Sequence, residues 1–200
     1  MNRLIVLRHG QTAWNDNGRV QGISDVDLDD VGRRQAARAA PTLAKLRPSL
    51  IVSSDLSRAL DTARAVADLV GTDVVIDKRL RERAYGPWEG LNHAEIEAAF
   101  PKEFAAWKAR KPFEQDGIES PVEVAARGKE VLEDYASRLG ETALLVSHGG
   151  LSRAAVGSFL NWTFAQIGTV RGLDNCHWAD LQMGRSGWLL YGYNIAALPE

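Results

Sequence analysis

The stretch Leu4-Ile5-Val6-Leu7-Arg8-His9-Gly10-Gln11-Thr12 decides how the rest of the chain is read. Four apolar residues run straight into an arginine, a histidine and a glycine. A short apolar run bounded by a glycine reads as a buried strand, with Arg8 and His9 at its C-terminal end. In open α/β sheets that end is where ligands bind. A guanidinium there can grip a phosphate or carboxylate through two parallel hydrogen bonds. An imidazole there is a nucleophile or a proton carrier near neutral pH. Gly10 is expected to let the backbone turn sharply and a ligand approach closely.

Two later stretches repeat the pattern. Ala143-Leu144-Leu145-Val146-Ser147-His148-Gly149-Gly150 is again an apolar run followed by histidine and glycine. Leu50-Ile51-Val52-Ser53-Ser54-Asp55-Leu56-Ser57-Arg58 is a strand, a polar turn and the first turn of a helix. A cation in a first turn opposes the helix dipole. Arg58 is explained there if it and the helix N-terminus together hold an anion.

Periodicity supplies the remaining elements. A helix is expected from about Asp30, with Leu28, Val31, Ala36, Ala39, Leu43 and Leu46 inward, and Pro41 should kink or divide it. A helix over 56–70 turns Leu56, Leu60, Ala63, Ala67 and Val70 inward, and residues 73–76 read as a strand. The loop from Lys78 to Gly90 carries one carboxylate, Glu82, among Arg79, Arg81 and Arg83. Burial and a phosphate would raise its pKa while the arginines would lower it. Residues 91–120 read as two short helices broken at Phe100-Pro101. Ser120-Pro121-Val122-Glu123 is a capping box with proline in the first helical position. Its helix should run to about Leu139 with Val124, Val131, Leu132 and Tyr135 inward. A strand over 142–147, a helix over 150–161 and two final edge strands around a turn at 184–187 complete the chain. His93 and His177 read as ordinary surface or packing histidines.

Composition narrows the class. The chain has 200 residues, 45% of them hydrophobic, and a formal charge of -2. That is enough for one globular domain with a sizeable core. The near-neutral balance speaks against nucleic acid as a partner. Cys176 is the single cysteine, which suits a reducing cytoplasm. An opening strand leaves no room for a signal peptide, and no apolar run is long enough to span a membrane. Four histidines and one cysteine, none at His-x-x-x-His or Cys-x-x-Cys spacing, speak against zinc. No Gly-x-Ser-x-Gly elbow is present for a serine hydrolase.

Arg8-His9-Gly10, Ser54-Asp55-Leu56-x-Arg58-Ala59-x-x-Thr62-Ala63, Leu80-Arg81-Glu82 and Ser147-His148-Gly149 occur in the order seen in the histidine phosphatase superfamily, the phosphoglycerate mutase-like proteins. As a set, spanning positions 8 to 149, they identify the chain as resembling that family. The resemblance implies an α/β three-layer sandwich: a mostly parallel central sheet, helices on both faces, and a small helical cap at about 91–120, all in one domain over 1–200. It implies a phosphohistidine intermediate on His9. Glu82 protonates the leaving oxygen, while Arg8, Arg58 and His148 supply positive charge, without metal or cofactor. It carries substrate contacts to Asn15, Gln21 and Gly22 beside Arg8, Arg58, His148 and Gly149. Otherwise Asn15 caps a turn and Gln21 is solvated. Tyr85 and Trp88 either stack on a sugar or pack.

The expected partner is a small phosphorylated metabolite; a homodimer through an edge strand is compatible with the sequence but not required by it. The interval from Glu82 to His148 is short for a mutase and lacks an Arg-Arg pair, which favours hydrolysis. Glu82-x-x-Tyr85-Gly86 keeps a mutase open. Within the phosphatases, Gly86-x-Trp88-x-Gly90-Leu91 and Val124-Ala125-Ala126-Arg127 are most similar to those acting on glucosyl-3-phosphoglycerate. Ile118 departs from the Gly-Gly-Glu-Ser usual there. A silent phosphate-binding domain is the alternative of another class, disfavoured because Arg8, His9, Arg58, Glu82 and His148 are all present.

Overall fold

The computed structural model describes residues 2–138 and 142–197. In chain order its elements are β1 (Arg3–Arg8), α1 (Ala13–Asp16), α2 (Asp30–Ala44), β2 (Leu50–Ser53), α3 (Ser57–Val70) and β3 (Val74–Ile76). Then come α4 (His93–Ala99), α5 (Pro101–Lys108), α6 (Pro121–Ser137), β4 (Thr142–Ser147), α7 (Gly149–Phe159), α8 (Phe164–Thr169), β5 (Trp178–Gly184) and β6 (Gly187–Ile195).

The sheet order is β3-β2-β4-β1-β5-β6, which places the opening strand inside the sheet. β1, β2, β3 and β4 run parallel, and β5 and β6 close the far side antiparallel. Leu4, Ile5, Val6 and Leu7 are all but inaccessible, as expected for a strand covered on both faces. Alternate residues point to opposite layers. Leu4 and Val6 meet Val131 and Leu132 of α6 and Leu151 and Val156 of α7. Ile5 and Leu7 meet Ala39 and Leu43 of α2 and Ala63 and Val66 of α3. The three layers follow from this alternation.

Register places the chemistry. Arg8 stands opposite Ser147 on the neighbouring parallel strand, so the next residues, His9 and His148, leave the sheet side by side. Ser53 stands opposite Val146, and the chain from β2 enters α3 beside them.

Several expectations change. Pro41 does not divide α2, which continues to Ala44. The proline lies near the C-terminal end, where losing its one N–H donor leaves most of the helix bonded. Val31 is 38% exposed rather than inward, and Leu60 is only half-buried. α6 ends at Ser137, and Leu139 lies outside the described residues. The helix expected over 150–161 ends at Phe159. A second helix, α8, starts at its own capping box of Thr163 and Gln166. Gly10 does not turn the chain through a left-handed conformation. A Cβ there would meet the Gly32 carbonyl oxygen at 2.5 Å, so the glycine admits the first turn of α2.

A third apolar cluster stands apart from the two that flank the sheet. Trp88, Ile96 and Phe104 form its centre, with Trp107, Phe113 and Ile118 packed around them. Trp88 stacks on Phe113 and meets Trp107 edge-on. Ile118 joins through a bridge to Tyr85. This is where the departure from glycine at position 118 acts.

Candidate active site

A cavity of about 190 Å³ opens at the C-terminal ends of β1 and β4. Its floor holds Arg8, His9, Arg58, Glu82 and His148, with Gln21 and Gly22 on one side. The aromatic cluster covers it with Trp88, Ile96, Phe104 and Trp107. The five residues singled out by motif are therefore brought together.

The His9 and His148 rings lie with centroids 5.0 Å apart. His9 Nδ1 is 2.6 Å from the Gly10 carbonyl oxygen. A carbonyl can only accept, so Nδ1 carries the hydrogen and Nε2 keeps its lone pair. Burial holds His9 well below the usual histidine range, reinforced by the Arg8 and Arg58 charges. His148 is held low by burial first, then by Arg58 and His9. Both rings are therefore neutral at pH 7. The floor's positive charge rests on Arg8 and Arg58, and His148 enters as a neutral donor instead of a cation.

Arg58 is wholly buried, and burial lowers its pKa to about 10 against the attraction of Glu82 and Asp25. Its Nη1 and Nη2 donate to the Ser24 and Gly22 carbonyls at 2.7 and 2.8 Å. Arg8 Nη1 donates to the Leu173 carbonyl at 2.7 Å. Arg8 Nε, Arg58 Nε and both His148 ring nitrogens are buried without a hydrogen-bond partner among the described residues. Buried polar atoms are seldom left so, and donors converging on one space suit an anion.

Glu82 is held by backbone. Its Oε1 accepts from the N–H groups of Arg83 and Leu151, and its Oε2 from Gly150. The N-terminus of α7 thus binds the chain's own carboxylate. The arginines beside Glu82 in sequence turn elsewhere. Arg79 pairs with Asp77 and Asp134, Arg81 with Asp55, and Arg83 donates to the Glu119 carbonyl.

The N-terminus of α3 is likewise occupied. Ser57 N and Oγ donate to Asp25, so the anion at that helix end is Asp25 of the chain itself.

Gln21, Gly22 and Tyr85 line the cavity as expected; Gln21 is buried rather than solvated. Asn15 and Gly149 are not among its lining residues. Asn15 Oδ1 accepts from Thr12 N and from Asn175 Nδ2, so it caps α1. Gly149 opens α7 beside the Arg8 side chain, where a Cβ would make ordinary contact with Arg8 Nε at 3.4 Å. His177 stays outside, with Nδ1 bonded to the Asn175 carbonyl. His93 is exposed and packs between Phe104 and Trp107, at centroid distances of 5.6 and 5.3 Å, as expected of a surface or packing histidine; its place on the cavity wall was not foreseen. The signal was the helical spacing of Phe100, Phe104 and Trp107 just after it. Glu89 was also missed. Its carboxylate accepts from Ile23 N, Ser24 N, Ser24 Oγ and Tyr85 N, and so fixes the loop whose carbonyls hold Arg58.

A family model described as the histidine phosphatase superfamily, branch 1, matches residues 4–196. The chain belongs to the histidine phosphatase superfamily. It is a phosphatase of that superfamily. It is 41% identical over 189 residues to a glucosyl-3-phosphoglycerate phosphatase of Mycolicibacterium vanbaalenii, covering 90% of this chain and 84% of that one. Among solved structures it resembles a mycobacterial glucosyl-3-phosphoglycerate phosphatase complexed with VO3. That match has TM-score 0.89 and 39% identity, and covers 98% of this chain and all of the other. A phosphoserine phosphatase from Entamoeba histolytica in complex with 3-phosphoglyceric acid matches at TM-score 0.85 and 27% identity, over 98% of each chain.

Proposed function

We propose that the chain hydrolyses a phosphomonoester through a phosphohistidine on His9, and that its substrate is a small phosphorylated metabolite such as glucosyl-3-phosphoglycerate. The observation that carries this reading is the His9 tautomer. The Nδ1 hydrogen is committed to Gly10, so an uncharged Nε2 faces a pocket of arginine donors. An uncharged nucleophile is not repelled by a phosphate dianion.

In the first step Nε2 attacks phosphorus in line and the P–O ester bond breaks. The leaving alkoxide takes a proton from Glu82. One Glu82 oxygen, Oε1, accepts two backbone N–H groups, whereas Oε2 accepts one. A carboxyl oxygen has room for two such partners, so the transferable proton belongs on Oε2. In the second step Glu82 takes a proton from water, the water oxygen attacks phosphorus, and the P–N bond breaks. Arg8, Arg58 and the His148 N–H stabilise the equatorial oxygens throughout. No cluster of three His, Cys, Asp or Glu side chains that could hold a metal is found among the described residues. The residues named supply every charge and proton these steps need.

The aromatic cover supports a sugar-bearing substrate, since aromatic faces give an apolar platform to a sugar ring, and the similarity to glucosyl-3-phosphoglycerate phosphatases points the same way. We take residues 1–200 as one catalytic unit with 91–120 as its cap, acting in the cytoplasm. A homodimer would use the exposed edge at Val75 and Ile76 of β3.

The test is phosphate release from glucosyl-3-phosphoglycerate, 3-phosphoglycerate, phosphoserine and p-nitrophenyl phosphate in EDTA, beside His9→Ala. Turnover should survive EDTA and fall at least about a thousandfold in the variant. An acid-labile, base-stable phosphoenzyme should form only with His9 present. Isomerisation without phosphate release would replace hydrolysis by a mutase, and full activity in His9→Ala would refute the mechanism.

A further inference from the structure

Behind the floor lies a second, larger cleft of about 480 Å³. Arg8 lines both. The other walls come from Arg110 at the end of the cap helices, Arg153 on α7, and the segment 168–174 with Arg171. Four arginines therefore face one space with a single carboxylate, Asp174.

That carboxylate is already engaged. Asp174 accepts from Asn194 Nδ2 at 2.8 Å and from Arg171 Nη2 at 3.0 Å. Arg153 has no ion pair or hydrogen bond among the described residues, and its Nε is buried without a partner. Arg110 spends one donor on the Gly168 carbonyl at the end of α8 and pairs with no acid among the described residues. The partly buried Arg79, Arg81 and Arg127, by contrast, each pair with an acid.

We propose that this cleft is a second anion-binding site, taking a carboxylate or phosphate group on Arg153 and Arg110, one guanidinium away from the reacting phosphate. Two sources of that anion share the chemistry: the far acid group of a substrate that reaches past Arg8, or a free anion. The first source rests on the phosphatase reading above; the second does not.

The experiment compares wild type with Arg153→Gln, Arg110→Gln and the double variant, using Arg153→Lys for rescue. Hydrolysis of p-nitrophenyl phosphate, which has no second acid group, should be unchanged in all of them, and this shows that fold and His9 chemistry are intact. If the substrate's own acid group occupies the cleft, KM for 3-phosphoglycerate rises about tenfold or more in the double variant with kcat preserved, the loss expected for a charge-assisted contact. Arg153→Lys then recovers part of it. If a free anion occupies it, KM is unmoved. Calorimetry on protein whose catalytic pocket is filled with vanadate then detects sulfate binding that the double variant loses. Unchanged KM together with no sulfate binding to the vanadate-filled wild type overturns the proposal. If p-nitrophenyl phosphate hydrolysis fails in the wild type, the catalytic reading falls and the sulfate titration still decides the cleft.

Discussion

The floor and the roof of the catalytic cavity are built by different means. The floor is polar and comes from strand ends and helix starts, where the register of β1 against β4 sets His9 beside His148 within a few ångström. The roof is aromatic and comes from α4, α5 and the loops around them, where Trp88 packs against Phe104, Trp107 and Phe113. Sheet hydrogen bonds fix the floor to a geometry that chemistry demands. Aromatic packing, with two isolated bridges at Arg19–Asn92 and Tyr85–Ile118, holds the roof. In the function proposed above, reaction belongs to the floor and selection to the roof.

The sharpest break of that division is Glu82→Gln. It should lower turnover of alkyl phosphates about 10²–10⁴-fold, the usual worth of a positioned proton donor. Binding should be spared, and p-nitrophenyl phosphate should leave a trapped phosphoenzyme because the second step also needs Glu82. Equal losses in KM and kcat would make Glu82 a structural anchor of α7 only.

The roof is tested by Trp107→Ala. Its kcat/KM for glucosyl-3-phosphoglycerate should fall about three- to tenfold, as expected for one aromatic contact. The constants for 3-phosphoglycerate, which lacks the sugar, should hold. A uniform loss on both substrates would show that the roof supports the floor and does not choose the ligand.

The smallest effect concerns stability. The folded-state pKa values of His9 and His148 lie well below the ordinary 6.5. Below pH 6.5 the unfolded chain therefore binds more protons, and stability is lost as pH falls. The slope should reach about 1.4 kcal/mol per pH unit for each histidine. Urea unfolding between about pH 7 and 5 should show it, with His148→Gln removing one histidine's share. A variant with the wild-type slope would mean that His148 is not buried as a neutral ring.

Much of the floor was legible because each residue sits one step past an apolar run, and strand ends in an α/β sheet face the same side. Arg8, His9, Arg58, Glu82 and His148 needed only that rule and their motifs. Asn15 and Gly149 lie outside the cavity lining, because a motif names a position but not the direction of its atoms. Asn15 turns its oxygen to Thr12, and Gly149 starts α7 against Arg8. His93 was passed over because its partners lie later in the chain, on the next helix.

By itself the sequence determined the strands, the capping box at Ser120 and the residues that gather at the strand ends, since apolar runs, capping boxes and motif spacing are local. Tertiary structure alone decided the protonation and company of those residues. The three arginines around Glu82 were drawn away by Asp77, Asp55 and the Glu119 backbone, and α7 held the carboxylate instead. Burial made both histidines neutral, and the Gly10 carbonyl selected the nitrogen that stays free. Charge and proton position depend on what surrounds a group in three dimensions, and sequence neighbours are a poor guide to that.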